Sequence, residues 1–523
     1  MVGSTHTREG SVRGLADPAD VRSNCGAGVV MDLEGSTDHS VIADGLSLLT
    51  DLEHRGALGA EADTGDGAGI VLQTPRDFFA DELDTDLPET YAVGAFFLPQ
   101  DETARTALQD LVEAELSEYD LSVRHWRAVP TDNSGLGETA LDSEPQVRHA
   151  IVAPDEGIST DEFDRRLYVG RRAVESTVRE HEPAGADRFY IPSLDRKTLV
   201  YKGLLTASQL PEYYPDLRDE RVESTFAMVH ARFSTNTLGA WHLAHPYRSI
   251  IHNGEINTIQ GNINWMRARE TDLEGEVFGE GIERIKPIID DPDQSDTASV
   301  DNALELLLQS GRDLPHALRM LVPEAWRDDA NGVSERRKQW YDFHASLVEP
   351  WDGPALVCAT DGDRVGAVLD RNGLRPCRYE VTTDERLVMA SEVGAIENPS
   401  DEIEERGRLQ PGQLFLADPE KGRIVPDEEV FADLTEEKYG NWVDDEQVRL
   451  EDVAGDEPHA YADRDLEGTI DSLRSHQALF GYTHDQLDNL LEPMARRGKD
   501  PVGSMGDDTP LSVLSEFNRP LFT

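Results

Sequence analysis

An α+β layered fold is predicted by three features of this chain. Strand-like and helix-like segments come in mixed order, strand-like segments occur in adjacent pairs, and helices do not alternate one for one with strands as a βαβ repeat requires. No run approaches eighteen apolar residues, so no membrane-spanning helix competes with that reading.

The elements follow in order. The polar leader 1–24 lacks an apolar stretch, which argues against a secretory signal, reads as disordered and points to a cytoplasmic protein. "CGAGVVMDL" suits a strand, and "HSVIADGLSLLTDLEHRGA" carries apolar residues at three-to-four spacing, the mark of an amphipathic helix. "TGDGAGIVLQTP" is a glycine-rich turn and a strand ended by Pro75. From Ala92 to Leu217 strands alternate with acidic helices. "FAMVHARFSTNT" and "YRSIIHNGEINTI" are consecutive strand-type segments, with Asn253-Gly254 where a tight turn would be. "SDTASVDNALELLLQSG" has a polar start, apolar periodicity and Gly311 as a stop, and predicts a helix. The segment from Ala355 to Val393 predicts a meander of three or four strands, with turns at Asp361-Gly362, Asn372-Gly373 and Thr383-Asp384. Residues 427–464 are acidic and loop-rich and read as a linker, and 465–523 as the incomplete start of a further domain.

Charge narrows the partners. Acidic residues number 103 against 49 basic ones, a formal net charge of −54, and only seven of the 49 are lysine. Such a chain repels nucleic-acid phosphate and anionic lipid. Acids spread along the whole length fit a solvated surface adapted to molar salt, as in halophilic archaeal proteins, where a Debye length of about 3 Å screens self-repulsion. The three cysteines, Cys25, Cys358 and Cys377, offer no disulfide framework, metal motif or iron–sulfur set within this chain.

Cys25 poses the functional question. It could be a buried small hydrophobe, a metal ligand or a nucleophile. A free thiol has a pKa of about 8.5 and needs a base, yet no His or Asp stands at a recognisable Cys-His spacing. Loss of the leader at Asn24 would expose one: the α-amino group of Cys25 itself, with a pKa of about 7.7–8.0.

The neighbouring motifs decide the matter. "CGAGVVMDL", "LEHRGALGAEADTGDGAGI", "HARFSTNT", "HNGEINT", "SDTASVDNALELL", "WDGPA" and "DRNGLRPCRY" occur in this order. They resemble the class II amidotransferase (glutaminase) domain that opens glutamate synthase large subunits, and "GYTHDQLDNLLEPMARRGKDPVGSMGDDTPL" resembles the start of their central domain. The resemblance implies an N-terminal-nucleophile hydrolase, an αββα four-layer sandwich over 25–426, matured by loss of 1–24. It implies that Cys25 attacks the side-chain amide of L-glutamine, releasing ammonia and forming a γ-glutamyl thioester that water hydrolyses.

The other roles come residue by residue. Asn253 and Gly254 correspond to oxyanion donors, against the alternative of a plain hairpin turn. Arg232 can fork onto the substrate α-carboxylate and Asp296 can accept from its α-ammonium; the alternatives are a strand ion pair and a helix N-cap. Arg55 lies near the nucleophile in this family and either shapes the pocket or simply pairs an acid. "TGDGAG" lacks the lysine of a phosphate loop and is read as backbone passing close to the site. Cys358 and Cys377 are read as spectators. No metal is expected here. FMN and an iron–sulfur cluster belong to the synthase part missing from this chain, which would reside on a partner chain, with a reductant-supplying subunit or ferredoxin beyond it. The rival readings are another class II amidotransferase, such as an amidophosphoribosyltransferase, and a non-catalytic remnant or regulatory subunit that keeps its leader.

Overall fold

The run Gly26–Asp32 (β1) has nearly every residue buried, and both of its faces find a partner layer. The computed structural model describes residues 25–448 except 58, 60, 62, 84–85, 233–238, 276, 291–293, 328–331, 393 and 397, and beyond them 453, 473–474, 477 and 482–498. The expected leader and most of 465–523 lie outside the described residues.

In chain order the strands are β1, β2 (Ala68–Gln73), β3 (Ala92–Leu98), β4 (Leu121–Ala128), β5 (Gln146–Pro154), β6 (Tyr190–Asp195), β7 (Thr198–Gly203) and β8 (Phe226–Ala231). After these come β9 (Ile250–Gly254), β10 (Ala355–Thr360), β11 (Val365–Leu369), β12 (Arg378–Thr382), β13 (Arg386–Ala390), β14 (Ile403–Arg408), β15 (Leu414–Asp418) and β16 (Arg423–Val425). One sheet runs β14-β12-β13-β1-β8-β2-β7, a second β16-β15-β11-β10-β9, and a third β4-β5-β3-β6. Every strand pairing within the three sheets is antiparallel, which excludes the βαβ alternative and fits the α+β expectation.

Alternation along β1 builds the layers. Val29 and Met31 point inward to a core shared with Met228 of the same sheet and Ile251, Leu356 and Ala367 of the second sheet. Val30 points the other way, toward Val41, Ile42 and Leu49 of the helix His39–Asp51. Each such fully buried aliphatic side chain contributes about 1.5–3 kcal/mol. On the far side of the second sheet, the helix Asp296–Gln309 lies against β9 and the helix Leu314–Leu321 against β11. Helix, sheet, sheet, helix is the αββα order. The third sheet carries its own core around Phe96, Leu108 and Phe163, covered by the helices Glu102–Ser117 and Thr160–His181.

Two expectations need correction. Asn253-Gly254 is not a hairpin turn: both residues belong to β9 and pair with Leu356 and Ala355 of β10, about a hundred positions away. The expected meander is two hairpins. β10–β11 lies in the second sheet and β12–β13 in the first, so the Asn372-Gly373 segment crosses between sheets rather than turning within one.

The chain divides into two compact units at Glu437/Lys438. Part of the stretch read as a linker belongs to the first: the helix Asp427–Leu434 buries Val430 and Phe431, and Asp427 accepts from the Leu414 N–H and pairs with Arg319 and Arg337. Apolar residues spaced through its acids hold it there. In the second unit most of the described residues are helical, with a Thr483–Gln486 capping box ahead of a π-turn and the helix Glu492–Arg497. Among the described residues no helix is long and apolar enough to cross a membrane.

Candidate active site

Cys25 stands at the N-terminal end of the central strand, half-buried. Gly26 is opposite Ala231, so continuing the β1–β8 register by one residue brings Cys25 opposite Arg232. Alternation puts both on the face that carries Ala27 and His230, toward the second sheet. From that sheet Asn253 reaches across, and its Nδ2 donates to the Cys25 carbonyl oxygen at 2.8 Å. Asn253 is only 2% exposed and its Oδ1 finds no partner among the described residues. Leaving a buried amide oxygen unbonded costs about 1–3 kcal/mol.

Gly254 follows at φ +139°, where a Cβ would strike the Pro354 carbonyl and come 2.9 Å from Ala355 Cα. Glycine is required on both counts. Arg232, 3% exposed, donates to Asp66 Oδ1 at 2.8 Å and to the Asp66 carbonyl at 3.2 Å, so a carboxylate holds this guanidinium at the sheet end. The "TGDGAG" glycines serve that approach. At Gly67, with φ +138°, a Cβ would lie 2.9 Å from Ala244 and 3.5 Å from Arg232 Cδ.

Asp296 is the first residue of the helix Asp296–Gln309, while Ser295 is the N-cap, accepting from Ala298 N–H. The N-cap alternative for Asp296 therefore falls. Its carboxylate turns back toward β9: Oδ2 accepts from Ile256 N–H at 2.9 Å and Oδ1 from Thr297 N–H at 2.7 Å. Arg55, in the short 3-10 turn Glu53–Arg55, donates from Nε and Nη2 to Glu392 Oε2 at 2.9 and 2.5 Å. It pairs an acid, and it does so beside Cys25. A Cβ on Gly26 would be 3.3 Å from Arg55 Cβ, and Ser391, next to Glu392, accepts from Ala27 N–H at 3.2 Å.

The structure thus gathers Cys25, Asn253, Gly254 and Arg232 at one end of the facing sheets, with Arg55 near Cys25 and Asp296 at the end of β9. A cavity of about 660 Å³ lined by Glu175, Arg179, Tyr190, Tyr247, Arg248 and Gln294 contains none of these six. Sequence reasoning missed three buried histidines nearby, His230, His245 and His252, the last with its ring turned to Thr297 of the helix Asp296–Gln309. His230 Nε2 donates to the His252 carbonyl at 2.8 Å, and the His230 ring stacks on His245 with centroids 4.3 Å apart. Burial holds the His230 imidazole down to about 3 and pushes His245 and His252 down as well, so all three are neutral. Asp66 and Glu392 were also missed; the only signal was their place inside or beside the quoted motifs. Cys358 and Cys377 lie in the inter-sheet core, where burial pushes the Cys358 thiol up to about 12 and raises that of Cys377. Such thiols are inert.

The family described as "Glutamine amidotransferases class-II" matches residues 25–442, beginning on Cys25 itself. This chain belongs to the class II glutamine amidotransferases. The αββα sandwich of this amidotransferase is the N-terminal-nucleophile fold that the resemblance implies. "Glutamate synthase central domain" matches residues 475–523. The amidotransferase is 42% identical over 525 residues to "Glutamate synthase [NADPH] large chain" of Bacillus subtilis, covering 99% of this chain and 34% of that one. It is 39% identical over 513 residues to "Ferredoxin-dependent glutamate synthase 2" of Synechocystis, covering 96% and 32%. Identity to "Glutamate synthase [NADH]" of Saccharomyces cerevisiae is 39%, covering 96% and 24%. The chain therefore spans between about a quarter and about a third of the length of these relatives.

Proposed function

We propose that this chain hydrolyses L-glutamine to glutamate and ammonia as the glutaminase part of a glutamate synthase. The observation that carries the reading is the Asn253 Nδ2 bond to the Cys25 carbonyl, with Gly254 next in line and Arg232 opposite the cysteine. It joins an oxyanion donor to a nucleophile across two sheets. Similarity to glutamate synthase chains favours this reading over an amidophosphoribosyltransferase or a non-catalytic remnant.

In this reading the leader is cut after Asn24, and the freed α-amine takes the proton of the Cys25 thiol. The thiolate attacks the δ-carbon of glutamine, and the carbonyl oxygen becomes an oxyanion facing Asn253 Nδ2 and the Gly254 N–H. One such donor is worth about 2.7–4 kcal/mol. Collapse breaks the C–N bond, the α-ammonium of Cys25 returns its proton, and ammonia leaves. Water then attacks the γ-glutamyl thioester, giving glutamate and restoring the thiol. Arg232 grips the α-carboxylate, Asp296 accepts from the α-ammonium, and Arg55 with Glu392 shapes the wall beside Cys25.

The domain plan we infer is a leader 1–24, the amidotransferase domain, a connecting region and the start of a central domain. FMN and an iron–sulfur cluster would sit on a synthase part outside this chain, which would pass the ammonia to 2-oxoglutarate; no step above runs through them. A cytoplasmic setting and a surface adapted to high salt complete the proposal. The test is ammonia release from glutamine by the full chain in molar KCl. Cys25→Ala is expected to abolish it, and equal activity in that variant would exclude the nucleophile.

A further inference from the structure

β9 is gripped at three points by the helix Asp296–Gln309. At its entry the fully buried Asp301 accepts from Ser249 N–H at 3.0 Å, from Arg248 N–H at 3.3 Å and from the Arg248 guanidinium at 3.0 Å. At its exit Asp296 accepts from Ile256 N–H. Midway, Thr297 Oγ1 lies 2.9 Å from His252 Nδ1 and donates to Asp296 Oδ1 at 3.2 Å. A hydroxyl has one proton to give, and here the carboxylate takes it. His252 is therefore the donor to Thr297 and carries its own proton on Nδ1. From the other sheet His230 holds the His252 carbonyl, the backbone atom just ahead of Asn253.

The Asp296 carboxylate is nearly filled by this arrangement. An ionised carboxylate offers about four acceptor positions. Among the described residues Thr297 N–H, Thr297 O–H and Ile256 N–H use three, which leaves one direction for an incoming donor. The same helix turn thus aims the carboxylate and braces the strand that presents Asn253 and Gly254.

We propose that Thr297 is a positioning residue: through Asp296 on one side and His252 on the other, it fixes the separation between the carboxylate that receives the substrate ammonium and the end of β9 that receives the oxyanion. That separation measures the length of an amino acid's amide side chain, and so selects glutamine over asparagine, one methylene shorter. The inference rests on the glutaminase reading above and adds a specificity residue to it.

The test compares kcat and KM for glutamine and asparagine in the full-length matured protein and in its Thr297→Val and Thr297→Ser variants. Valine keeps the shape and loses the hydroxyl. It is expected to lower kcat/KM for glutamine about tenfold or more, and to cut the glutamine-to-asparagine ratio by a similar factor out of the roughly 10–200-fold that one methylene is worth. Serine is expected to restore most of that ratio. An unchanged ratio in Thr297→Val, or a serine variant as poor as valine, would overturn the proposal. Thr297→Ala repeats the test should the valine variant not fold. If the unaltered protein releases no ammonia from glutamine, the glutaminase reading itself fails; if it is active while valine changes nothing, only the role of Thr297 does.

Discussion

In Gly254→Ala the added methyl would drive into the Pro354 carbonyl oxygen and stand 2.9 Å from Ala355 Cα, on a backbone at φ +139°. Two costs separate cleanly. Holding a non-glycine residue at that φ costs about 1–3 kcal/mol. Relieving the clash means moving β9 off β10, the usual overpacking cost of about 1–3 kcal/mol more. Gly157→Ala isolates the first term, because Gly157 has φ +90° and open space around its Cβ position. Chemical denaturation in molar KCl should therefore show Gly254→Ala destabilised by about 2–6 kcal/mol and Gly157→Ala by only about 1–3. The catalytic effect should be larger than stability alone accounts for. A shift of about 1 Å in the Gly254 N–H and the neighbouring Asn253 amide should cost on the order of 100-fold in kcat for ammonia release. A Gly254→Ala protein with the stability of Gly157→Ala and near-normal kcat would refute the idea that this glycine exists to bring the strand end against β10 and the substrate.

Further outcomes follow from the same geometry. His230, His245 and His252 are neutral when folded and protonate near the ordinary value of about 6.5 when unfolded, so the unfolded state binds more protons in acid. Stability should be present above pH 7 and fall by about 3 kcal/mol between pH 7.5 and 5.5 from His230 and His245, with His252 adding to the loss in the same direction, measured by denaturant midpoint; a flat profile over that window would contradict their burial as neutral rings. Arg232→Lys loses the planar fork held by Asp66, and should raise KM for glutamine about tenfold or more with a much smaller change in kcat. Raising KCl from 0.2 to 2 M should increase the melting temperature, since 103 acids face 49 bases; a decrease would contradict the high-salt reading.

How much was legible depended on whether a signal is local. The helix Asp296–Gln309 was readable because its polar start, apolar period and closing Gly311 all lie within one stretch. Cys25, Arg232, Asn253 and Gly254 were readable because they sit in quoted motifs. Which strand meets which was not. Asn-Gly reads as a hairpin, and only the pairing with β10 shows it to be a strand end kept small to pass Pro354. Likewise Asp66 and Glu392 look like two more acids in an acidic chain, and gain meaning only when the fold sets them on Arg232 and Arg55. The buried histidines were hidden for the reason that burial was: nothing in "HAR", "AHP" or "HNG" tells that three imidazoles are taken out of water, two of them stacked and the third turned toward Thr297.

The central claim is that Cys25 works as a terminal residue whose own amine serves its thiol. The most direct measurement is the intact mass of the active protein before and after an acid-quenched exposure to glutamine. The account predicts a chain beginning at Cys25 that gains one glutamyl group on that residue. A chain still carrying residues 1–24 that releases ammonia at an undiminished rate would contradict it.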